Sequence, residues 1–332
     1  MVARERLKQG NYFSAPKSNL QFIPSGSKLL DLSLGGGWCE ERIINVVGDK
    51  ATGKTLLMIE ASANFARKYP KGKIRYREAE SAFDKPYAGA LGMPIERIDF
   101  GGDAPMETVE DMFEDLQKIV TKAKQKELVI VDSLDALSDR SEMKRDMDEG
   151  TYGAQKAKML SQLFRRLTSQ LADSQVTLII VSQVRDKIGV SFGRKFSRSG
   201  GKALDFYASQ VVYLAHVGRL TRKVSGLARA TGVKVLAKID KSKVGLPFRE
   251  AAFDVRFGYG IDDVQSCVDW LKECRSLKLA DIRESEVKDY LDWVLAMSPE
   301  DGQKEIDRIR AIVEHKWYEI EDKLLTPRKK YG

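Results

Sequence analysis

The stretch whose reading decides the fold is Gly48-Asp49-Lys50-Ala51-Thr52-Gly53-Lys54-Thr55. It follows a short apolar run, Ile43–Val47, and opens a segment, Gly53–Tyr69, that reads as a helix. G-x-x-x-x-G-K-[ST] between a strand and a helix is a phosphate-binding loop. Glycines let backbone N–H groups converge on phosphate oxygens, and the helix N-terminus adds the positive end of its dipole. Lys54 then neutralises the β- and γ-phosphates, and Thr55 offers its hydroxyl to Mg²⁺.

Working outward, such a loop needs a second carboxylate for the magnesium shell. Leu128–Val131 is an apolar strand that ends in Asp132, and the carboxyl ends of parallel strands are where an open α/β sheet binds ligands. Hydrolysis also needs a group to orient water. Glu78 and Glu80 both follow the strand Lys73–Arg77, and spacing does not choose between them. The remaining elements alternate. Met106–Ala123 is an amphipathic helix with Val109, Met112, Phe113, Leu116, Ile119 and Val120 on one face, and Lys156–Leu171 is a further helix. Val176–Ser182, Val211–Val217, Val233–Ile239 and Ala251–Phe257 read as strands. This predicts an α/β fold with a mainly parallel sheet covered on both faces.

Composition closes off other classes. The 332 residues hold 42% apolar and 31% charged side chains, enough for a sizeable core and too apolar for a disordered chain. Lys and Arg number 56 against 48 Asp and Glu, a net of +8, so acidic partners are favoured where the cations cluster. Three cysteines without metal spacing indicate a reducing compartment. Two histidines, His216 and His315, leave no His-rich zinc site or triad, and both read as packing or surface groups. No apolar run is long enough for a membrane span, and MVARERLKQG lacks a signal peptide's apolar core. The expected location is cytoplasmic, with no membrane partner.

One basic segment stands out. Between 185 and 202 lie Arg185, Lys187, Arg194, Lys195, Arg198 and Lys202 against a single acid, Asp186. Gly189, Gly193, Gly200 and Gly201 let the backbone approach phosphates, and Ile188, Val190, Phe192 and Phe196 can sit between bases. Lys158, Ser161 and Arg165 share one helical face by their i, i+3, i+7 spacing. A second element, from Asp139 to Gly153, mixes Lys144, Arg145 and Tyr152 with more acids than bases and is no simple electrostatic groove.

From about Ile23 to about Gly260 the chain resembles the RecA family of ATP-dependent DNA strand-exchange proteins, in their bacterial and phage forms. The resemblance rests on Ser25-Gly26-Ser27 through Gly35-Gly36-Gly37 with the phosphate loop, and on Glu78-Ala79-Glu80-Ser81-Ala82-Phe83-Asp84 with Tyr87. It rests equally on Ser182-Gln183-Val184-Arg185 through Lys202-Ala203-Leu204, and on Lys241-Ser242-Lys243 before Pro247-Phe248. It implies that ATP and Mg²⁺ are the cofactors and that Glu80, not Glu78, activates water. It further implies that Asp84 and Tyr87 meet the adenine, and that Gln183 senses the γ-phosphate and couples it to the 185–202 loop. Lys241 and Lys243 are implied to reach a neighbour's ATP across a filament interface. Lys158, Ser161, Arg165 and the loop residues match family contacts to single-stranded DNA, with homologous duplex as the second DNA partner. A single-strand-binding protein or a loading mediator is a further implied partner.

The expected organisation is an N-terminal polymerisation arm (1–24, with Phe13 and Leu20 as anchors), an ATPase and DNA-binding core (25–260), a helical C-terminal domain (261–326) with Trp293 and Trp317 in its core, and a basic tail (327–332). The helical filament is a homo-oligomer. The expected activity is DNA-stimulated ATP hydrolysis with strand exchange. A ring-shaped motor of the same fold and a non-catalytic recombination mediator remain as alternatives. The chain departs from the family's common pattern in three places: Asp49-Lys50 stand where most members carry proline and glutamate, Arg77 where a neutral residue is common, and Arg328-Lys329-Lys330 where housekeeping bacterial members end in acids.

Overall fold

The computed structural model describes residues 20–80, 83–102, 106–140, 153–172, 174–186, 196–197 and 201–326. In chain order the elements are β1 (Phe22–Ile23), α1 (Lys28–Leu34), β2 (Trp38–Cys39), β3 (Ile43–Gly48), α2 (Lys54–Lys68), β4 (Lys73–Glu78), α3 (Lys85–Ala90), β5 (Ile98–Asp99), α4 (Val109–Lys122), β6 (Glu127–Asp132), α5 (Gly153–Ala172), β7 (Val176–Gln183), β8 (Arg185–Asp186), β9 (Phe196–Ser197), α6 (Gly201–Tyr207), β10 (Gln210–Val224), β11 (Leu227–Ser242), β12 (Glu250–Arg256), β13 (Gly260–Asp262), α7 (Asp263–Glu273), α8 (Tyr290–Leu295) and α9 (Pro299–Leu324). Short 3₁₀ turns lie at Ile95–Arg97 and Leu134–Ala136.

Among the described residues the main sheet has nine strands, ordered β13-β12-β11-β10-β3-β7-β6-β4-β5. The run from β10 to β5 is parallel, and β10 through β13 pair antiparallel. The fold is α/β with a mixed, mostly parallel sheet. Alternation within the central strands divides the core between two faces. Leu128 and Ile130 join Ile44, Val46 and the α2 residues Leu57 and Phe65 on one side. Val129 and Val131 join Ile43, Val47 and the helices α4 and α5, through Met112, Leu116, Leu160 and Phe164, on the other.

Helix ends follow their sequence signals. Ser27 caps α1 and Gly35 ends it at φ 88°. Thr108 caps α4 by accepting the Asp111 N–H at 3.1 Å. Ser298 caps α9, with Pro299 at its first position. Past β13, Val264, Val268 and Leu271 of α7 meet Ile309 and Val313 of α9 in the same core that holds Ile23 and Leu30. Ion pairs tie α9 back to the sheet and to α7: Arg249 grips Glu321 through two nitrogens, and Arg310 Nε donates to Asp263 at 2.6 Å.

Two expectations are corrected. The strands read as Val211–Val217 and Val233–Ile239 are only the inner half of a longer hairpin, which continues to a tight turn with Ser225 at φ 50° and Gly226 at φ 83°. Residues 221–230 are all exposed, so ladder hydrogen bonds, not an apolar alternation, extend the strands there. Trp293 is 53% exposed rather than core: Tyr290, Leu291 and Val294 take the inner face of α8, and Trp293 lies outside against the Tyr290 ring. Trp317 is buried.

Gln210 clamps the N-terminal elements to the sheet. Fully buried, it donates to Leu34 O (3.2 Å) and Gly37 O (2.9 Å) and accepts the Cys39 N–H (2.9 Å). Gln210→Leu keeps the volume and strands three backbone groups. It should lower the unfolding free energy in a urea titration by about 3 kcal/mol, and a loss well under 1 kcal/mol would remove the clamp from the account.

Candidate functional site

The carboxyl ends of β3, β7, β6 and β4 converge at one edge of the sheet, with Gly48 opposite Gln183 and Glu78 opposite Asp132. The phosphate loop leaves β3 there. Gly48 has no room for a side chain, since a Cβ would collide with Thr52 Oγ1 and press on the Leu214 carbonyl oxygen. Ala51 (φ 56°) and Gly53 (φ 82°) bend the chain back, and Thr52 Oγ1 donates to Asp49 O at 2.8 Å. No side chain caps α2, so its first N–H groups remain directed into the loop, the arrangement an anion uses. Lys54 Nζ donates to Asp49 O at 2.7 Å, and Lys50 N–H donates to Asp49 Oδ1. Burial lowers the Lys54 pKa, against the opposing pull of Asp132, Glu80, Asp49 and Asp135.

Asp132 lies at the end of β6. Its Oδ2 accepts from Thr55 Oγ1 at 2.9 Å and from Tyr76 Oη at 2.6 Å. Burial raises its pKa; the hydrogen bonds from Tyr76 and Thr55 oppose that rise. A hydroxyl and a carboxylate side by side are hard oxygen donors that suit Mg²⁺, which takes one or two protein ligands and fills its shell with water and phosphate. Thr55 and Asp132 would hold the ion.

The two glutamates separate by role. Glu78 Oε1 accepts the Glu80 N–H at 2.9 Å and braces the turn after β4. Glu80 Oε1 accepts from Ser133 Oγ at 2.5 Å and from Gln183 Nε2 at 2.7 Å. Gln183 is held a second time, its N–H donating to Asp135 Oδ2 at 2.6 Å. The structure thus joins Glu80, Gln183, Asp132, Thr55 and Lys54 in one edge site. Tyr76, Ser133 and Asp135 belong to it too and were missed in the sequence. Tyr76 reads as strand core by alternation, yet it sits diagonally across from Asp132 in the β4–β6 register, a spacing that aromatic side chains bridge.

Other candidates lie elsewhere. Asp84 caps α3 by accepting the Tyr87 N–H at 2.9 Å, and Tyr87 is 44% exposed. Lys158 and Arg165 are exposed and Ser161 half-buried on α5, opposite buried Leu160, Phe164 and Leu167. Arg185 begins a two-stranded stem in which β8 pairs β9, and Gly201 and Lys202 begin α6. Lys187, Ile188, Gly189, Val190, Phe192, Arg194, Lys195, Arg198 and Gly200 lie outside the described residues, as do Phe13, the 141–152 part of the second DNA element and the basic tail. Leu20 is half-buried and both histidines are exposed. Arg77 is buried between Asp115 and Asp99, its Nε donating to Asp115 at 2.6 Å. No helix among the described residues is long and apolar enough to cross a membrane.

Lys241 and Lys243 are not at this edge. Lys241 pairs with Val211, which pairs with Asn45, three residues before Gly48. Lys243 N–H donates to Ser209 O, and Ser209 N–H donates to Ile43 O. At about 3.3 Å per residue the lysines sit roughly 10–16 Å back along the sheet, toward its opposite end. There Lys241 Nζ donates to Asp205 O (2.6 Å) and Phe206 O (2.7 Å), near the C-terminal end of α6.

Residues 9–262 match the family model described as the RecA N-terminal domain. Among curated relatives, Protein RecA of Prochlorococcus marinus is 36% identical over 262 residues, covering 78% of this chain and 66% of that protein. Protein RecA of Trichodesmium erythraeum is 34% identical over 264 residues (80% and 70%), and that of Streptomyces avermitilis 34% over 259 residues (76% and 65%). With a phosphate loop, a strand-end aspartate and a mostly parallel sheet already in place, this match identifies the chain as a member of the RecA family.

Proposed function

We propose that the chain is an ATP-dependent homologous recombinase. It polymerises head to tail on single-stranded DNA, pairs that strand with homologous duplex and exchanges strands, with ATP hydrolysis stimulated by DNA. The observation that carries this reading is the placement of the phosphate loop and of Lys241 and Lys243 toward opposite ends of one sheet. A chain built this way cannot bring the lysines to its own triphosphate. Stacked head to tail, each chain offers them to the next, and such heterologous contacts propagate as an open helix or close as a ring.

In this reading the phosphates lie along residues 48–55. Asp84 and Tyr87 flank the adenine. Magnesium, when held by Thr55 and Asp132, offsets the charge that builds on the transferring phosphoryl group. Glu80 takes the proton of the attacking water, its direction fixed by Ser133. Gln183 leaves Glu80 for the γ-phosphate, and because Arg185 lies two residues on, that shift passes directly into the β8–β9 stem. Lys241 leaves the carbonyls of α6 for the neighbour's triphosphate, so the far end of the same loop is released in the same event. The 185–202 segment, with Lys158, Ser161 and Arg165, grips the DNA backbone, and base pairing reads the sequence.

The test uses the full-length protein with ATP, with and without single-stranded DNA. The DNA should raise turnover, and added salt should weaken DNA binding steeply through counterion release. Glu80→Gln should keep nucleotide binding and filaments while turnover falls by about 10² or more. Closed rings under electron microscopy, or a rate indifferent to DNA, would exclude the recombinase. Lys241→Ala should lose about 10³ in turnover. Mixed with Glu80→Gln, it should recover activity that neither has alone, because some interfaces then combine an intact Glu80 with an intact Lys241. Absence of that complementation would refute action across the interface.

A further inference from the structure

We infer that Tyr76 is a positioning residue of the magnesium site: its phenol decides which oxygen of Asp132 faces the metal's water shell. The inference rests on the reading of Thr55 and Asp132 as the metal-holding pair, and it assigns a part to a side chain that neither alternation nor motif singles out.

Tyr76 is fully buried in the middle of β4. Its hydroxyl donates to Asp132 Oδ2 at 2.6 Å, and Thr55 Oγ1 donates to that same oxygen at 2.9 Å. A carboxylate oxygen has two lone-pair sites, so the two donors occupy Oδ2 fully. Oδ1 is then the oxygen left to take a metal-bound water. The Thr55 hydroxyl has a single proton, and Asp132 takes it, which turns the lone pairs of Oγ1 outward to the ion. Tyr76 keeps this arrangement in one rotamer.

The ring that carries the phenol is itself fixed. It lies against Phe83 (centroids 4.5 Å) and Phe100 (6.1 Å), these two rings stand 5.8 Å apart, and Lys85 Nζ sits over Phe100 at 4.3 Å. A buried phenol requires a partner for its O–H, and here the partner is the metal-facing carboxylate. Phenylalanine would fill the same cage and remove one hydrogen bond only. Outer-shell partners of this kind are worth about 10–100-fold in metal affinity.

The experiment measures equilibrium binding of a fluorescent ATP analogue to full-length wild type and Tyr76→Phe, in EDTA and across a Mg²⁺ titration. The variant should need about tenfold more Mg²⁺ at the midpoint, while metal-free binding stays within about twofold. Equal midpoints would overturn the role, and so would an equal loss with and without metal, which marks a merely structural residue. In the wild-type nucleotide complex, Mg²⁺ should also produce a difference signal in the near-ultraviolet tyrosine absorption, a signal that Tyr76→Phe removes. Should the variant not fold, the wild-type spectrum decides, and an unperturbed spectrum overturns the role. A wild type whose nucleotide binding ignores Mg²⁺ would take down the site reading and this role with it.

Discussion

The two ends of a parallel strand bundle are chemically different, and the rest of this molecule depends on that difference. At the carboxyl edge the chain leaves each strand through a loop, so residues from four strands meet there: Gly48, Glu78, Asp132 and Gln183 end β3, β4, β6 and β7. At the other edge the antiparallel β11 ends, and it carries Lys241 out near α6. No rotamer change moves a lysine between the two edges of a packed sheet. If the lysines serve a triphosphate, it must be another chain's, and the proposed polymer would follow from strand direction.

Hydrogen bonds link the polar groups of the carboxyl edge to one another. Asp135 holds the backbone of Gln183, whose amide holds Glu80, which is held again by Ser133, the residue after Asp132. Tyr76 and Thr55 close the ring on Asp132. These bonds tie β4, β6, β7 and α2 to one another. The network is part-buried around Asp132 and Ser133 and open to solvent at the Gln183–Glu80 bond. The same pairing makes it responsive: a γ-phosphate that competes for Gln183 must break a bond to Glu80, so the two groups cannot change independently.

What the sequence disclosed was what is contiguous or periodic. The phosphate loop is eight consecutive residues, and its chemistry survives without knowledge of the fold. Asp132 follows from its place after four apolar residues. Glu78 and Glu80 are equal by spacing, because what separates them is a hydrogen bond from Glu80 N–H to Glu78 that only the turn geometry creates. Tyr76 is concealed by its own alternation, since a phenol pointing into a core looks like any other aromatic until the neighbouring strand and register are known. Trp293 misleads for the opposite reason: a six-residue helix has one inner face, and Tyr290, Leu291 and Val294 already fill it. The outer half of the β10–β11 hairpin carries no apolar alternation because neither of its faces is covered. The placement of Lys241 needs the β3–β10–β11 register, a tertiary fact with no local trace.

Charge bears on the proposed need for a second chain at the carboxyl edge. Lys54 stands among Asp132, Glu80, Asp49 and Asp135, four carboxylates around one partly buried ammonium, with Lys50 exposed on the loop's crest. A triphosphate entering that field brings further negative charge into a region where burial strengthens every repulsion. Backbone N–H groups of the loop and the dipole of α2 offset part of it. They do not offset all of it, because partial charges amount to about half an elementary charge at a helix end. In the proposed reading the balance comes from a divalent cation and from Lys241 and Lys243 of a second chain, which join Lys54 and Lys50 of this edge. In the proposed head-to-tail reading, an edge crowded with carboxylates on one protomer would meet Lys241 and Lys243 of the next, with the nucleotide between them.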